Sequence, residues 1–296
     1  MLLAPTTGSE ARRLAMRARL QTGRTLWIPG AYDVLSARLI AQAGFDAVLV
    51  SGFGVSASLL GLPDTELYTM TENLSVVRAV CAAVDLPVMA DCDTGYGNAV
   101  NVLRTVREFE AAGASSITLE DQVSPKKCPA VSDATPLLPM EEAVGKIRAA
   151  VAARRDPALV IIARTDARTP EEAMARARAY AHAGADVVKP ISKCFDSFDG
   201  LMHLRETVGR PLAISLLGKL QRNLSTQQIE QLGGICTFPL LPLLSAAAAL
   251  KGNLAALHAT LRPDDLPLAP MPELDFKRFI GFEDIEAMEP RFLPRV

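Results

Sequence analysis

The 296-residue sequence predicts an α/β protein, a (β/α)8 barrel of the TIM type with a C-terminal helical extension. Three observations predict it. Short apolar runs rich in β-formers alternate with segments of helical period along most of the chain, there are eight such runs, and a small Ala-Gly phrase recurs between helix and strand. Strand–helix alternation implies a parallel sheet, because parallel neighbours need crossover connections. Eight units close into a barrel of about 250 residues. A doubly wound open sheet is the alternative that the same alternation permits.

The eight runs are 25–29, 47–51, 87–91, 116–120, 159–164, 186–191, 212–216 and 234–238, with helical stretches at 72–84, 100–112, 140–153, 170–183 and 226–232. The recurring phrases are Ala43-Gly44-Phe45-Asp46, Ala112-Gly113-Ala114-Ser115 and Ala183-Gly184-Ala185-Asp186, and Leu232-Gly233-Gly234 looks like a fourth. Glycine just past a helix takes the left-handed conformation cheaply and turns the chain into the next strand. The barrel domain is read as 1–261, with its N-terminal helix. Residues 262–296 are read as an extension, because Pro263, Pro267, Pro270 and Pro272 precede Phe276, Phe279, Ile280 and Phe282. Such apolar residues beyond a completed barrel are expected to pack on it or on a neighbouring subunit. The connection 121–138 is too long for a bare barrel, which marks it as functional or disordered.

Composition narrows the class. The chain is 49% hydrophobic and 22% charged, with a formal net charge of -2. No basic stripe stands out, which argues against nucleic acid. No apolar run reaches the roughly 18–20 residues of a membrane span. The Arg-rich segment 10–24 reads as an amphipathic helix with a solvated basic face. Five widely spaced cysteines without a CxxC pair argue against a disulfide framework and for a reducing, cytoplasmic setting. Cys81 and Cys236 read as packing residues. His182, His203 and His258 fall on predicted helices and carry no assigned chemistry.

In a barrel, catalytic groups come from the C-terminal ends of the strands. The second run ends in Ser51-Gly52-Phe53-Gly54, the third in Asp91-Cys92-Asp93-Thr94-Gly95-Tyr96-Gly97, the fourth in Glu120-Asp121-Gln122 and the fifth in Arg164-Thr165-Asp166. Asp91, Asp93 and Glu120 form an oxygen-donor set suited to Mg²⁺, though strand-end acids also cap helices or pair with lysine. The small turn at Ser51 can offer backbone N–H groups to a carboxylate. Arg164 suits a bidentate carboxylate clamp, or a structural pair with a rim acid. Lys126-Lys127-Cys128 places two cations beside a thiol, which should lower its pKa and suit it to acid–base work, though a lone cysteine in a loop is also commonly an ordinary thiol.

These residues, in this order, resemble the isocitrate lyase / phosphoenolpyruvate mutase superfamily. The resemblance runs from about Pro29 to Phe238. It is carried by Pro29-Gly30-Ala31-Tyr32-Asp33, Gly61-Leu62-Pro63-Asp64, Ile162-Ala163-Arg164-Thr165-Asp166 and the strand-end motifs above. Within the superfamily the chain is similar to the 2-methylisocitrate lyase, dimethylmalate lyase and oxaloacetate decarboxylase branches. The resemblance implies a barrel that uses Mg²⁺, with Mn²⁺ a possible substitute, and a homotetramer whose C-terminal barrel helix swaps between subunits. It implies Asp91 as the direct metal ligand, Asp93 and Glu120 as acids holding metal-bound waters, and Asp64 as a further acid of that site. Ser51, Gly52 and Phe53 match the substrate-carboxylate loop and Arg164 the substrate arginine. Lys126, Lys127 and Cys128 match a gating loop in which the cysteine is the lyase acid–base residue.

Two departures bear on the substrate. The lyase motif continues Gly-His after the cysteine, where this chain has Pro129-Ala130, and it carries a Glu near the end of the sixth strand, where this chain has Ile191. Lys189 is expected to point away from the site. Both departures favour a smaller or more apolar 2-alkylmalate over 2-methylisocitrate. The phrase Val144-Gly145-Lys146-Ile147-Arg148 is similar to the decarboxylase branch. The expected function is therefore Mg-dependent carbon–carbon cleavage of a 2-hydroxy di- or tricarboxylate to a 2-oxo acid such as pyruvate. The alternatives are oxaloacetate decarboxylation, phosphonate chemistry of the mutase or hydrolase kind, and a non-catalytic metabolite-binding barrel.

Overall fold

The computed structural model describes residues 5–128 and 135–293, so Pro129 and Ala130 lie outside the described residues. Two compact units divide at Pro242/Leu243. The larger, Thr7–Pro242, holds eight parallel strands: β1 (Thr25–Ala31), β2 (Val48–Val50), β3 (Val88–Asp91), β4 (Ser116–Glu120), β5 (Val160–Thr165), β6 (Val187–Pro190), β7 (Ala213–Ser215) and β8 (Gly234–Phe238). Their order is β6-β5-β4-β3-β2-β1-β8-β7. The ring closes through a parallel bridge between Val188 and Leu212, so the sheet is a barrel and not an open doubly wound sheet.

Strand alternation sorts the side chains. Leu26, Ile28, Leu49, Met89, Val160, Ile162, Val187, Ala213 and Ile235 form one buried cluster inside the ring. Residues of opposite parity, such as Val48, Val88, Ile117 and Ile161, face the helices. Helices that connect the strands seat apolar stripes against that outer face. Asn98 caps Ala99–Ala111 by accepting from the N–H groups of Val100 and Asn101, and Val102, Thr105, Val106 and Phe109 are buried at helical spacing. The turns after the helices behave as the repeats predict, with Gly44 at φ +83° and Gly113 and Gly184 both at +102°.

One expectation is overturned. The basic face of the first helix, Ser9–Gln21, is not solvated. Arg12 is buried and donates to the carbonyls of Cys81 and Val84 at 2.8 and 2.6 Å. Arg13 pairs with Asp156 at 2.7 Å and Arg17 with Asp186 at 3.1 Å. Met16 and Leu20 are buried among the inward-facing residues of the barrel. Arg12 reaches carbonyls at and beyond the end of the helix Met70–Cys81, which a long planar donor does well.

The second unit contains most of the helix Leu241–Thr260, then Glu273–Ile280 and Phe282–Phe292. No residue of the 20-residue helix is buried. No helix of the described residues is long and apolar enough to cross a membrane.

Candidate active site

Register builds the rim. Glu120 pairs with Arg164 across β4 and β5, and Arg164 with Lys189 across β5 and β6. Neighbours in register share a face of the sheet. All three stand above the apolar plug, in phase with Ile162 and Val187. Asp91 follows Met89 by two on β3 and points the same way. The polar rim is thus the C-terminal continuation of the inward stripe.

On the β2–β4 side the acids gather around one cation. Lys126 is buried, with its Nζ 2.9 Å from Asp64 Oδ1 and 2.5 Å from Asp93 Oδ1. Asp93 also accepts from the Tyr68 hydroxyl at 2.5 Å and from Tyr96 at 3.3 Å. Burial, with Asp91 and Asp64 adding, pushes Asp93 up to about 6. Burial would raise Asp91 as well, but Lys126, Lys189 and Arg164 outweigh it and hold that carboxylate below its ordinary range. Burial would lower Lys126, but Asp93 and Glu120 outweigh it and hold the ammonium well above its ordinary value.

Arg164 has both sides of its guanidinium engaged, by Glu120 at 2.7 Å and by Asp166 at 2.8 Å. The structural pairing open from the sequence is therefore realised in this arrangement. Glu120 is pushed up to about 8 by burial, with Asp166 and Asp91 adding, against the pull of Arg164. Above these groups lies a cavity of about 180 Å³, lined among others by Ser51, Phe53, Asp64, Asp91, Cys128, Arg164 and Lys189. Ser51 accepts from Gly54 N, and the Gly52 amide donates to Asp91 Oδ2 at 3.3 Å, so that amide positions an acid.

Cys128 reaches the cavity, but the expected pKa depression is absent. Burial, then Asp64, raise the thiol, and the opposing pull of Lys126 and Arg164 is outweighed. Lys126 is already paired with Asp64 and Asp93. The backbone N–H of Lys127 donates to Gln122 Oε1 at 2.9 Å.

Lys189 corrects a second expectation. It lines the cavity instead of pointing away, because it follows the inward Val187 by two. Burial, then Arg164, lower its ammonium to about 8 against Asp91 and Glu120. Sequence reasoning also missed Glu66. It accepts from the Thr94 hydroxyl at 2.5 Å, Ser124 at 2.6 Å and the Lys126 amide at 2.9 Å, tying three loops together. Lys146 donates to the Thr94 carbonyl at 2.9 Å, which gives the Val144–Arg148 phrase a structural role beside the rim. Tyr68 lies 25 residues from the Asp93 it supports, so no local motif announced it.

The donor chemistry fits a hard divalent cation. Among the described residues, the cations facing Asp64, Asp91, Asp93, Glu120 and Asp166 are Lys126, Arg164 and Lys189, so carboxylates outnumber cations. Oε1 of Glu120 is buried without a partner. Asp93 and Glu120 are raised chiefly by burial, with neighbouring acids adding. Among the described residues no three acids converge as a ready metal cage in this arrangement. The Lys126 ammonium sits between Asp64 and Asp93, as a cation would.

Comparisons with known proteins identify the family. The family model described as phosphoenolpyruvate phosphomutase matches residues 16–257. The chain is 40% identical over 286 residues to the 2,3-dimethylmalate lyase of Eubacterium barkeri, covering 94% of this chain and 96% of that one. It is 38% identical over 216 residues to an oxaloacetate decarboxylase of Pseudomonas putida, covering 72% and 73%. A phosphonopyruvate hydrolase solved with oxalate and Mg²⁺ superposes with a TM-score of 0.86 at 33% identity, over 96% of this chain and 99% of that one. The chain belongs to the phosphoenolpyruvate mutase / isocitrate lyase superfamily and is an enzyme of its carbon–carbon lyase kind.

Proposed function

We propose that the enzyme cleaves a 2-hydroxy dicarboxylate of the 2-alkylmalate type to a 2-oxo acid such as pyruvate and a second carboxylate, with Mg²⁺ as cofactor. One observation carries the reading: Cys128 lines the same cavity as Asp91 and Arg164. A proton donor, an acid rim and an arginine thus face one small space. The substrate class is that of the dimethylmalate lyase relative.

Asp91 would hold the cation, with Asp93, Glu120 and Asp64 around it. When bound, a divalent cation there supplies the positive charge that stabilises a 2-oxo acid as it forms. Ser51 and Phe53 bound the wall where the 2-hydroxy acid end sits, and Arg164 beside them orients its carboxylate. The 2-hydroxyl proton passes to a base on the carboxylate-lined side, and the C2–C3 bond breaks. Its electron pair leaves on C3, as the enolate of the second carboxylate. Cys128 donates its proton to that carbon. The raised thiol pKa keeps the proton in place near neutral pH, as an acid requires.

Oxaloacetate decarboxylation is the second reading, favoured by the Pseudomonas relative and by the Val144–Arg148 phrase. It needs no thiol acid. Cys128→Ser separates the two. The lyase reading predicts a loss of about 10²-fold or more in hydroxy-acid cleavage. A variant that cleaves oxaloacetate as well as its parent, with no hydroxy-acid activity in either, contradicts it.

The chain's partner is proposed to be further copies of itself. The helix Leu241–Thr260 follows β8 where a barrel helix belongs, yet it leaves Leu244, Leu250 and Leu254 at 55–61% exposed. Exposed leucines of this kind, on a helix with no buried residue, call for a covering surface. A homotetramer with that helix exchanged between subunits would provide one.

A further inference from the structure

We infer that Lys189 is the anchor for the distal carboxylate of a dicarboxylate substrate, and so the residue that selects dicarboxylates over monocarboxylates. The inference rests on the reading above and names a specificity residue for it. Lys189 is nine-tenths buried, at 9% exposure, yet its side chain lines the cavity. Among the described residues its ammonium has no hydrogen bond and no ion pair. A buried ammonium is retained where something anionic will meet it, because an uncompensated buried charge is costly.

The other cations have other tasks: Arg164 is the proposed partner of the 2-hydroxy acid's own carboxylate, and Lys126 is held among the acids. The Arg164 guanidinium is flanked by Glu120 and Asp166, and Lys126 lies between Asp64 and Asp93. Among the described residues, Lys189 is therefore the cavity-lining cation with no direct ion pair, although Asp91 and Glu120 act on it through space. Its position also matters. The acids Asp64, Asp91 and Asp93 lie on the β2–β3 side and repel a second carboxylate. The β6–β7 wall carries Lys189 with Ser192, Ile191 and Leu217 and holds no acid among its cavity-lining residues. A molecule whose 2-hydroxy acid end faces the acid rim turns its far end toward this wall. A carboxylate there meets the ammonium, whereas a methyl group leaves it unpaired.

The test is calorimetric binding to the full-length enzyme with Mg²⁺ present. The ligands are citramalate and 2-hydroxy-2-methylbutyrate, which differ by a carboxylate against a methyl group. Wild type is expected to bind citramalate about 10- to 100-fold more tightly, the range for a charge-assisted hydrogen bond. Lys189→Met should reduce that ratio to near one with unchanged affinity for the monocarboxylate, and Lys189→Arg should keep most of the preference. Circular dichroism identifies a variant that fails to fold, in which case Lys189→Gln takes its place. Equal weakening of both ligands would assign Lys189 to the shared carboxylate and overturn the inference. An unchanged ratio would overturn it too, as would wild type that binds neither ligand or both alike. The two readings fail separately. Discrimination through Lys189 without hydroxy-acid cleavage removes the lyase reading alone, and cleavage with an unchanged ratio removes this inference alone.

Discussion

A methyl group at position 52 would sit 2.5 Å from the Tyr68 hydroxyl and 3.1 and 3.2 Å from carboxylate oxygens of Asp93 and Asp91. Glycine is needed there for the close approach of β2's end to the acids. Gly52→Ala is expected to destabilise by about 1–3 kcal/mol through overpacking, and to lower kcat/KM by displacing Asp91. Chemical denaturation and steady-state kinetics check both effects, and an unperturbed variant would show that the acids are not held this tightly. Lys189 gives a second prediction at this scale. Its ammonium faces Arg164 on β5, Asp91 on β3, and Glu120 and Asp166 on β4 and the β5 end. Deprotonation removes its charge, so dicarboxylate affinity should fall as pH rises through about 8. Lys189→Arg stays charged and should lack that fall. Asp91, Asp93, Glu120 and Arg164 were legible in the sequence because each ends a strand run beside a recognisable motif. Lys189 was not, although counting by two from Val187 would have found it. Whether Arg164 and Lys126 were already paired with acids depends on distances that no sequence pattern states.

Glu66 acts at the scale of the elements. It joins the loop after β2 to the end of β3 and to the loop after β4, through Thr94, Ser124 and the Lys126 amide. Glu66→Ala is expected to cost about 1–3 kcal/mol, because it leaves the buried Thr94 hydroxyl without its acceptor. Burial raises the Glu66 carboxyl, but hydrogen bonds from Ser124, Thr94 and Lys126 outweigh it, so its pKa is lowered in the fold. The stability it contributes is therefore present above the ordinary glutamate range and is lost as pH falls through the folded value. Thermal melts of wild type and Glu66→Gln should converge at low pH, and a gap that stays constant would contradict the assignment. All eight strands were legible, to within two residues at most ends, because apolar runs between Gly-marked turns are a local signal. The docking of Ser9–Gln21 was not. Its arginines looked like a solvated face because their acceptors, Cys81, Val84, Asp156 and Asp186, lie 69 to 169 residues away.

For the whole molecule, the barrel supplies a rigid ring that holds acids, arginine and lysine at one level, and assembly is expected to cover the helix after β8. Sedimentation should give a mass about four times the 31.6 kDa of one chain, and Leu250→Glu with Leu254→Glu should lower it. A monomer in the wild type would contradict the exchange of that helix. The family and its barrel were readable from motif order, whereas the substrate depends on the cavity wall, where Ile191 and Lys189 depart from the expected pattern. The most direct measurement of the central claim is pyruvate release from a panel of 2-methylisocitrate, 2,3-dimethylmalate, citramalate and oxaloacetate, with and without Mg²⁺ and with spontaneous oxaloacetate decay subtracted. The account predicts release from an alkylmalate that chelator abolishes and Mg²⁺ restores. Release from oxaloacetate alone, or full activity after the metal is stripped, would contradict it.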